Sequence, residues 1–131
     1  MRKFTIFLLT MLIFNAFAQK KLTNTSWEVK VIKGEAMMLD SAAMPFIKLS
    51  EGRLSGFTAC NHLTGKYELS RKKISFTEVG GTKMFCGNPN GDIEQALYES
   101  LKSVVSWKIK QGKLFFYNHE KTCVMILETK K

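Results

Sequence analysis

The chain has 131 residues, with 20 lysines and arginines against 11 acidic residues and a formal net charge of +9. That length excludes more than one sizeable domain and suits a single modest core. The positive balance raises nucleic acid as a partner, but Lys30, Lys48, Lys66, Lys83 and Lys108 are scattered singly, and dense basic clusters are confined to Arg71-Lys72-Lys73 and two terminal lysine pairs. The expectation is a solvated basic surface with no nucleic acid, open to an anionic partner.

The chain begins "MRKFTIFLLTMLIFNAFAQKK". Arg2 and Lys3 make a basic start, an apolar run follows from Phe4 to Phe14, and Ala16-Phe17-Ala18 places small residues where an A-x-A cleavage site needs them. The apolar run is short for a membrane span. Residues 1–18 therefore read as a signal peptide, and residues 19–131 as the domain. Removing the signal leaves 113 residues, with 18 basic and 11 acidic side chains and a net charge of +7. Gln19 offers no thiol for lipid attachment. The expected product is exported, periplasmic or secreted, soluble, monomeric and without a stable membrane anchor.

Beyond the signal, short alternating segments dominate, and period-two alternation marks half-buried strands. Trp27, Val29 and Val31 fall on one face of "SWEVKVI". The next segment, "KGEAMMLDSAAMP", carries Met37, Met38 and Met44 without clean periodicity. It reads as a loop plugging one end of the sheet or barrel; flexible thioethers also suit a lid over an apolar pocket, which makes Met37 and Met38 candidate binding residues. "FIKLS" gives a further strand. Leu54 to Thr58, Leu63 to Leu69 and Lys73 to Val79 read as a meander, with "SRKK" as its second turn. Leu63, Tyr67 and Leu69 share one face, as do Ile74 and Phe76.

"NPNGDIEQALYESLKSV" breaks the strand rhythm. Asn88 and Pro89 suit a helix N-cap and first turn, Asp92 and Glu94 lie near the positive end of the helix dipole, and Lys102 near the negative end. Ile93, Leu97, Leu101 and Val104 or Val105 make one apolar stripe. Three more strands follow in "SWKIKQ", "KLFFYN" and "TCVMILE", joined at Gln111-Gly112 and Asn118-His119-Glu120. The class is α+β: one antiparallel, barrel-like sheet with a single amphipathic helix.

Chemistry is concentrated in "SGFTACNHLTGKY" and "GTKMFC". Three cysteines, Cys60, Cys86 and Cys123, allow three single bridges, and an oxidising compartment favours pairing. Alternation puts Gly56, Thr58 and Cys60 on one face, and Thr82, Met84 and Cys86 on another. Each cysteine then stands where a strand ends, which favours Cys60–Cys86, while Cys123 lies mid-strand. Closing that loop would remove about 3.5 kcal/mol of unfolded-chain freedom on the entropic model. Two alternatives stand beside it. Cys60 and His62, two apart, could form a thiolate–imidazole pair; and Cys60, His62, Cys86, His119 and Cys123 are all zinc-ligand types, though without a C-x-x-C or H-x-x-x-H clip. No cofactor is expected.

Asn61 can satisfy neighbouring backbone groups and tolerates left-handed dihedrals, and Gly56 and Gly65 suit a bulge or a close backbone approach. This is conformational punctuation around a cystine, and Asn61→Ala is expected to cost about 1–2 kcal/mol.

"GRLSGFTACNHLTGKYEL", "TKMFC", "EQALYESL" and "KLFFY" together resemble the META domain family, also called HslJ-like, from about Leu22 to Leu127. The Ser-Gly-x-x-x-Cys-Asn and Thr-x-Met-x-Cys blocks are the most specific parts. The resemblance implies a small α+β domain of the bacterial envelope, associated with heat-shock response and antibiotic tolerance and without an established catalytic activity. Two residues depart from the family pattern: Ala59 stands where glycine is usual, and Phe85 where a smaller residue is usual. The expected function is that of an exported, non-enzymatic domain supporting an unidentified envelope component. The alternative is a binder of a small apolar ligand or anionic polymer through the Met37–Met38 loop and the basic surface.

Overall fold

Alternation is best kept in the strand His62–Ser70, where side chains turn alternately into a closed interior and out to solvent. A computed structural model describes residues 21–130; residues 1–18, read as a signal peptide, lie outside them. The strands are β1 (Ser26–Ile32), β2 (Glu35–Ala36), β3 (Phe46–Ser50), β4 (Arg53–Phe57), β5 (His62–Ser70), β6 (Lys73–Gly81), β7 (Ser106–Lys110), β8 (Lys113–Tyr117) and β9 (Cys123–Thr129), with one long helix, α1 (Asn90–Ser103), between β6 and β7.

All pairings are antiparallel, and β1 pairs with β9 as well as β3, so the sheet closes on itself, with β2 appended as a short hairpin arm. Closure leaves β1 and β9 no free edge, as a barrel requires. The α+β reading holds. The weakest seam is β6–β7, where Lys73 and Ser106 are the paired residues. Trp107 reinforces it, its backbone N–H reaching Lys72 O at 3.0 Å and its indole N–H reaching Arg71 O at 3.0 Å. The Gln111-Gly112 turn has both residues at positive φ, the conformation of a tight two-residue hairpin.

Inside the ring, Trp27, Ile47, Leu54, Leu63, Leu114 and Met125 are fully buried, and Phe76 meets Phe116 edge to face at 5.6 Å. The helix supplies Leu97, Leu101 and the following Val104, leaving Val105 exposed. Truncating Leu97 or Leu101 to alanine would cost about 2–5 kcal/mol.

Two local expectations are corrected. Val31 does not share the inner face with Trp27 and Val29: the β1–β9 register shifts between Val29 and Val31, so Lys30 is an extra residue and Ile32 takes the buried place. Asn88 is not the helix N-cap. Pro89 occupies that position without a side-chain cap bond, while the Asn90 amide donates to Ala59 O at 2.8 Å.

Candidate functional site

Between β4 and β5 the chain turns through residues 58–61, and the Thr58 side chain organises the turn. Its hydroxyl oxygen accepts from the N–H of Cys60 at 3.2 Å and of Asn61 at 2.8 Å, while the Thr58 N–H donates to Asn61 O at 2.9 Å. A hydroxyl has one proton to give. The Glu94 carboxylate of α1 is nearer than Asn61 O, so the proton is directed to Glu94.

Asn61 is 2% exposed and lies at the centre. Its Oδ1 accepts from Met84 N at 2.8 Å and from the Thr82 hydroxyl at 2.9 Å. Its Nδ2 donates to Met84 O at 3.0 Å and to both Glu94 oxygens at 2.9 and 3.1 Å, with Cys60 Sγ at 3.3 Å. A backbone N–H can only donate and a carboxylate can only accept, so the surroundings fix which way the amide points. The Thr82 hydroxyl also accepts from His62 N at 3.0 Å. One amide thus joins three segments: the β4–β5 turn, residues 82–87 and the helix.

Cys60 and Cys86 are joined in a disulfide, with Cα atoms 5.9 Å apart. Cys60 therefore carries no thiolate, and the side chain of His62 is exposed, its ring edge-on to Phe57 at 6.4 Å. The thiolate–imidazole alternative loses its nucleophile. The zinc alternative loses two of its five donors to the same bridge. Cys123 is free and half-buried, with its thiol donating to Met125 O at 3.3 Å; burial pushes the thiol above the ordinary value, partly opposed by the Met125 backbone.

The remaining sequence-derived residues fall into three groups. Gly56 lies against β3, where an added Cβ would stand 2.0 Å from Phe46 O, and Gly65 sits at the register shift between β5 and β6. Thr82 contributes its hydroxyl. Met84 contributes only its backbone: its side chain is 64% exposed, and Phe85 beside it is exposed too. Met37 and Met38 are not among the hydrogen-bond partners of the Asn61 side chain. Met37 packs against the core and lines a groove of about 330 Å³ with Ile93 and Ala96, whereas Met38 stands in solvent.

Sequence reading missed Glu94 as a member of the site, treating it only as a charge near a helix end. A signal was present: Glu94 is one turn before Leu97 and Tyr98, so it borders the buried stripe. Tyr98 lies on this side of the helix, and burial, then the neighbouring Glu94 charge, raises its hydroxyl above the ordinary 10.0.

Residues 20–131 match the family model of the META domain. The chain belongs to the META domain family. The META domain accounts for 112 of the 131 residues, and the cystine and Asn61 both fall inside it. Among solved structures, a protein from Burkholderia xenovorans determined by NMR is similar at 27% identity, over 86% of each chain, with a TM-score of 0.66. A second NMR structure is similar at 21% identity, over 83% of this chain and 92% of its own, with a TM-score of 0.66. A DUF4847 family protein from Bacteroides vulgatus shares the fold at 13% identity, over 84% of this chain and 95% of its own, with a TM-score of 0.61. No curated protein matches.

Proposed function

We propose that this META domain is an exported, non-enzymatic protein of the bacterial envelope, of the stress- and antibiotic-tolerance-associated kind, that binds or supports an envelope component. The observation that carries the reading is the Cys60–Cys86 disulfide: a bridge of this sort persists in oxidising compartments, and it commits the sulfur of the most distinctive motif to holding shape. The apolar start of the chain and its Ala16-Phe17-Ala18 segment support export. Among the described residues no helix is long and apolar enough to cross a membrane.

Expression of the full chain in a bacterial host tests this directly. The periplasmic fraction should contain a product beginning at Gln19, with one free thiol after denaturation without reductant. An unprocessed chain in the cytoplasm with three free thiols would end the proposal.

A second reading is supported by Met38, which is 91% exposed next to the groove that Met37 lines. Here the domain binds a small apolar ligand, or an anionic polymer drawn by the basic surface. A fluorescent apolar probe should bind wild type and lose affinity with Met37→Ser/Met38→Ser; unchanged binding removes this reading.

A further inference from the structure

Phe85 is 94% exposed and Met84 64% exposed, yet the backbone carrying them is held at both residues' borders. Asn61 holds both backbone groups of Met84, and the residue after Phe85 is bridged to Cys60. Fixing a loop so firmly normally serves to seat its apolar side chains inward. Here they are presented outward, and nothing else in the described chain covers them. A rigid, exposed aromatic is the preorganised anchor from which interface hot spots are built, because little further freedom is lost on binding.

Hollows of about 450 and 350 Å³ flank this knuckle, the first lined by Asp92 and Glu94 with no cation, the second by Glu94 and Tyr98 together with Lys83. The ion pairs of the described residues involve Glu28, Glu99, Glu78 and Glu128, and neither Asp92 nor Glu94 is among them. Asn61 and Thr58 orient the Glu94 carboxylate without neutralising it. Lys83, the nearest cation in sequence, pairs with neither carboxylate. The first hollow is therefore an acidic recess beside an apolar projection, on a chain that is otherwise basic.

We propose that the Met84–Phe85 knuckle docks a partner polypeptide segment that carries a lysine or arginine beside an apolar side chain. The apolar side chain packs on Phe85 and Met84, and the cation enters the hollow toward Asp92 and Glu94. Charge selects polypeptide over an anionic lipid surface, whose headgroups would meet two unneutralised carboxylates. This goes beyond the envelope reading and does not depend on export: docking is measured on purified protein, whereas export is read from processing.

The test is an NMR titration of the purified, oxidised protein with a capped lysine-leucine-valine-leucine-lysine peptide, with its glutamate counterpart, and with phosphatidylcholine–phosphatidylglycerol vesicles. The cationic peptide should shift amides within residues 82–94 saturably, and the acidic peptide should not. Phe85→Ser should weaken binding about tenfold with melting unchanged, since Phe85 is 94% exposed. Asp92→Asn should weaken it at low salt and much less at high salt. No binding, equal binding of the acidic peptide, indifference to Phe85→Ser, or Phe85-dependent capture by the vesicles would each overturn the proposal.

Discussion

The Asn61 side chain meets the backbone of Met84 in a closed pair of hydrogen bonds, Oδ1 accepting from the N–H at 2.8 Å and Nδ2 donating to the carbonyl at 3.0 Å. This is the exchange that two residues of adjacent antiparallel strands make through their main chains. A side-chain amide thus acts as one more rung after β6 has ended, holding residues 82–87 where Cys86 can reach Cys60. The second Nδ2 proton is left for Glu94, which ties the rung to the helix.

Replacing Asn61 should separate the rung from the bridge. Asn61→Ala leaves the Met84 N–H unmet in a part-buried site and also removes a donor from Glu94, which raises the expected loss in urea unfolding from the about 1–2 kcal/mol read from the sequence to about 2–3 kcal/mol. Asn61→Asp is a sharper probe. Its carboxylate faces Met84 O and Glu94, so its folded pKa is raised above the unfolded value. Stability of that variant should fall as pH rises through the acid range, between about pH 4 and 7, a slope absent from Asn61→Ala. Equal slopes in the two variants would show that Asn61 does not face Glu94 in solution.

The bridge closes a separation of 26 residues that contains β5 and β6. Cys60→Ser/Cys86→Ser should lower stability by about 3.5 kcal/mol, and reductant should lower wild type by a similar amount while leaving the variant unchanged. A double variant as stable as wild type would mean that the Asn61 contacts suffice alone.

Ala59 is buried at φ +80°, a conformation that L-residues avoid. This explains why glycine suits the position, and it separates the two family departures: Phe85 points to solvent and disturbs no packing, whereas Ala59 carries strain. Ala59→Gly is expected to be neutral to stabilising by up to about 1 kcal/mol, relief of strain being partly offset by the freer unfolded chain. Gly56→Ala should do the opposite and cost several kcal/mol, of the order seen for severe overpacking, because the added Cβ meets main chain at Phe46 O. Thermal melts of the two variants moving in the same direction would contradict this backbone account.

Strands were legible wherever period two was unbroken: Leu63, Tyr67, Ile74 and Phe76 all face inward. Val31 was not, because a bulge is a main-chain event that leaves alternation on paper intact while reversing it in space. The helix stripe through Leu97 and Leu101 was legible for the same reason as the strands, a period matched to burial. The site was only half legible. Cysteine and asparagine announce a corner by residue type, but Glu94 joins it from 33 residues away through a tertiary contact, and Met84 takes part through atoms that every residue has.

Alkaline titration probes the helix side of the site. Burial, and then the Glu94 charge, raises the Tyr98 hydroxyl above 10.0, and burial raises the Cys123 thiol above 9.0. Both groups hold their protons more tightly folded than unfolded, so their contribution is complete below the ordinary values and is lost as pH rises through the raised ones. Wild type should therefore lose stability on the alkaline side, first as Cys123 titrates and then Tyr98. Tyr98→Phe should flatten the later part of that fall and leave the earlier part, and Cys123→Ser should do the reverse. Because the Glu94 charge is the lesser cause, Glu94→Gln should shift tyrosinate formation at Tyr98 only slightly downward, with most of the elevation remaining. A full return to the ordinary tyrosine value in Glu94→Gln would reverse that order and make the carboxylate, held in place by Asn61 and Thr58, the principal influence on Tyr98.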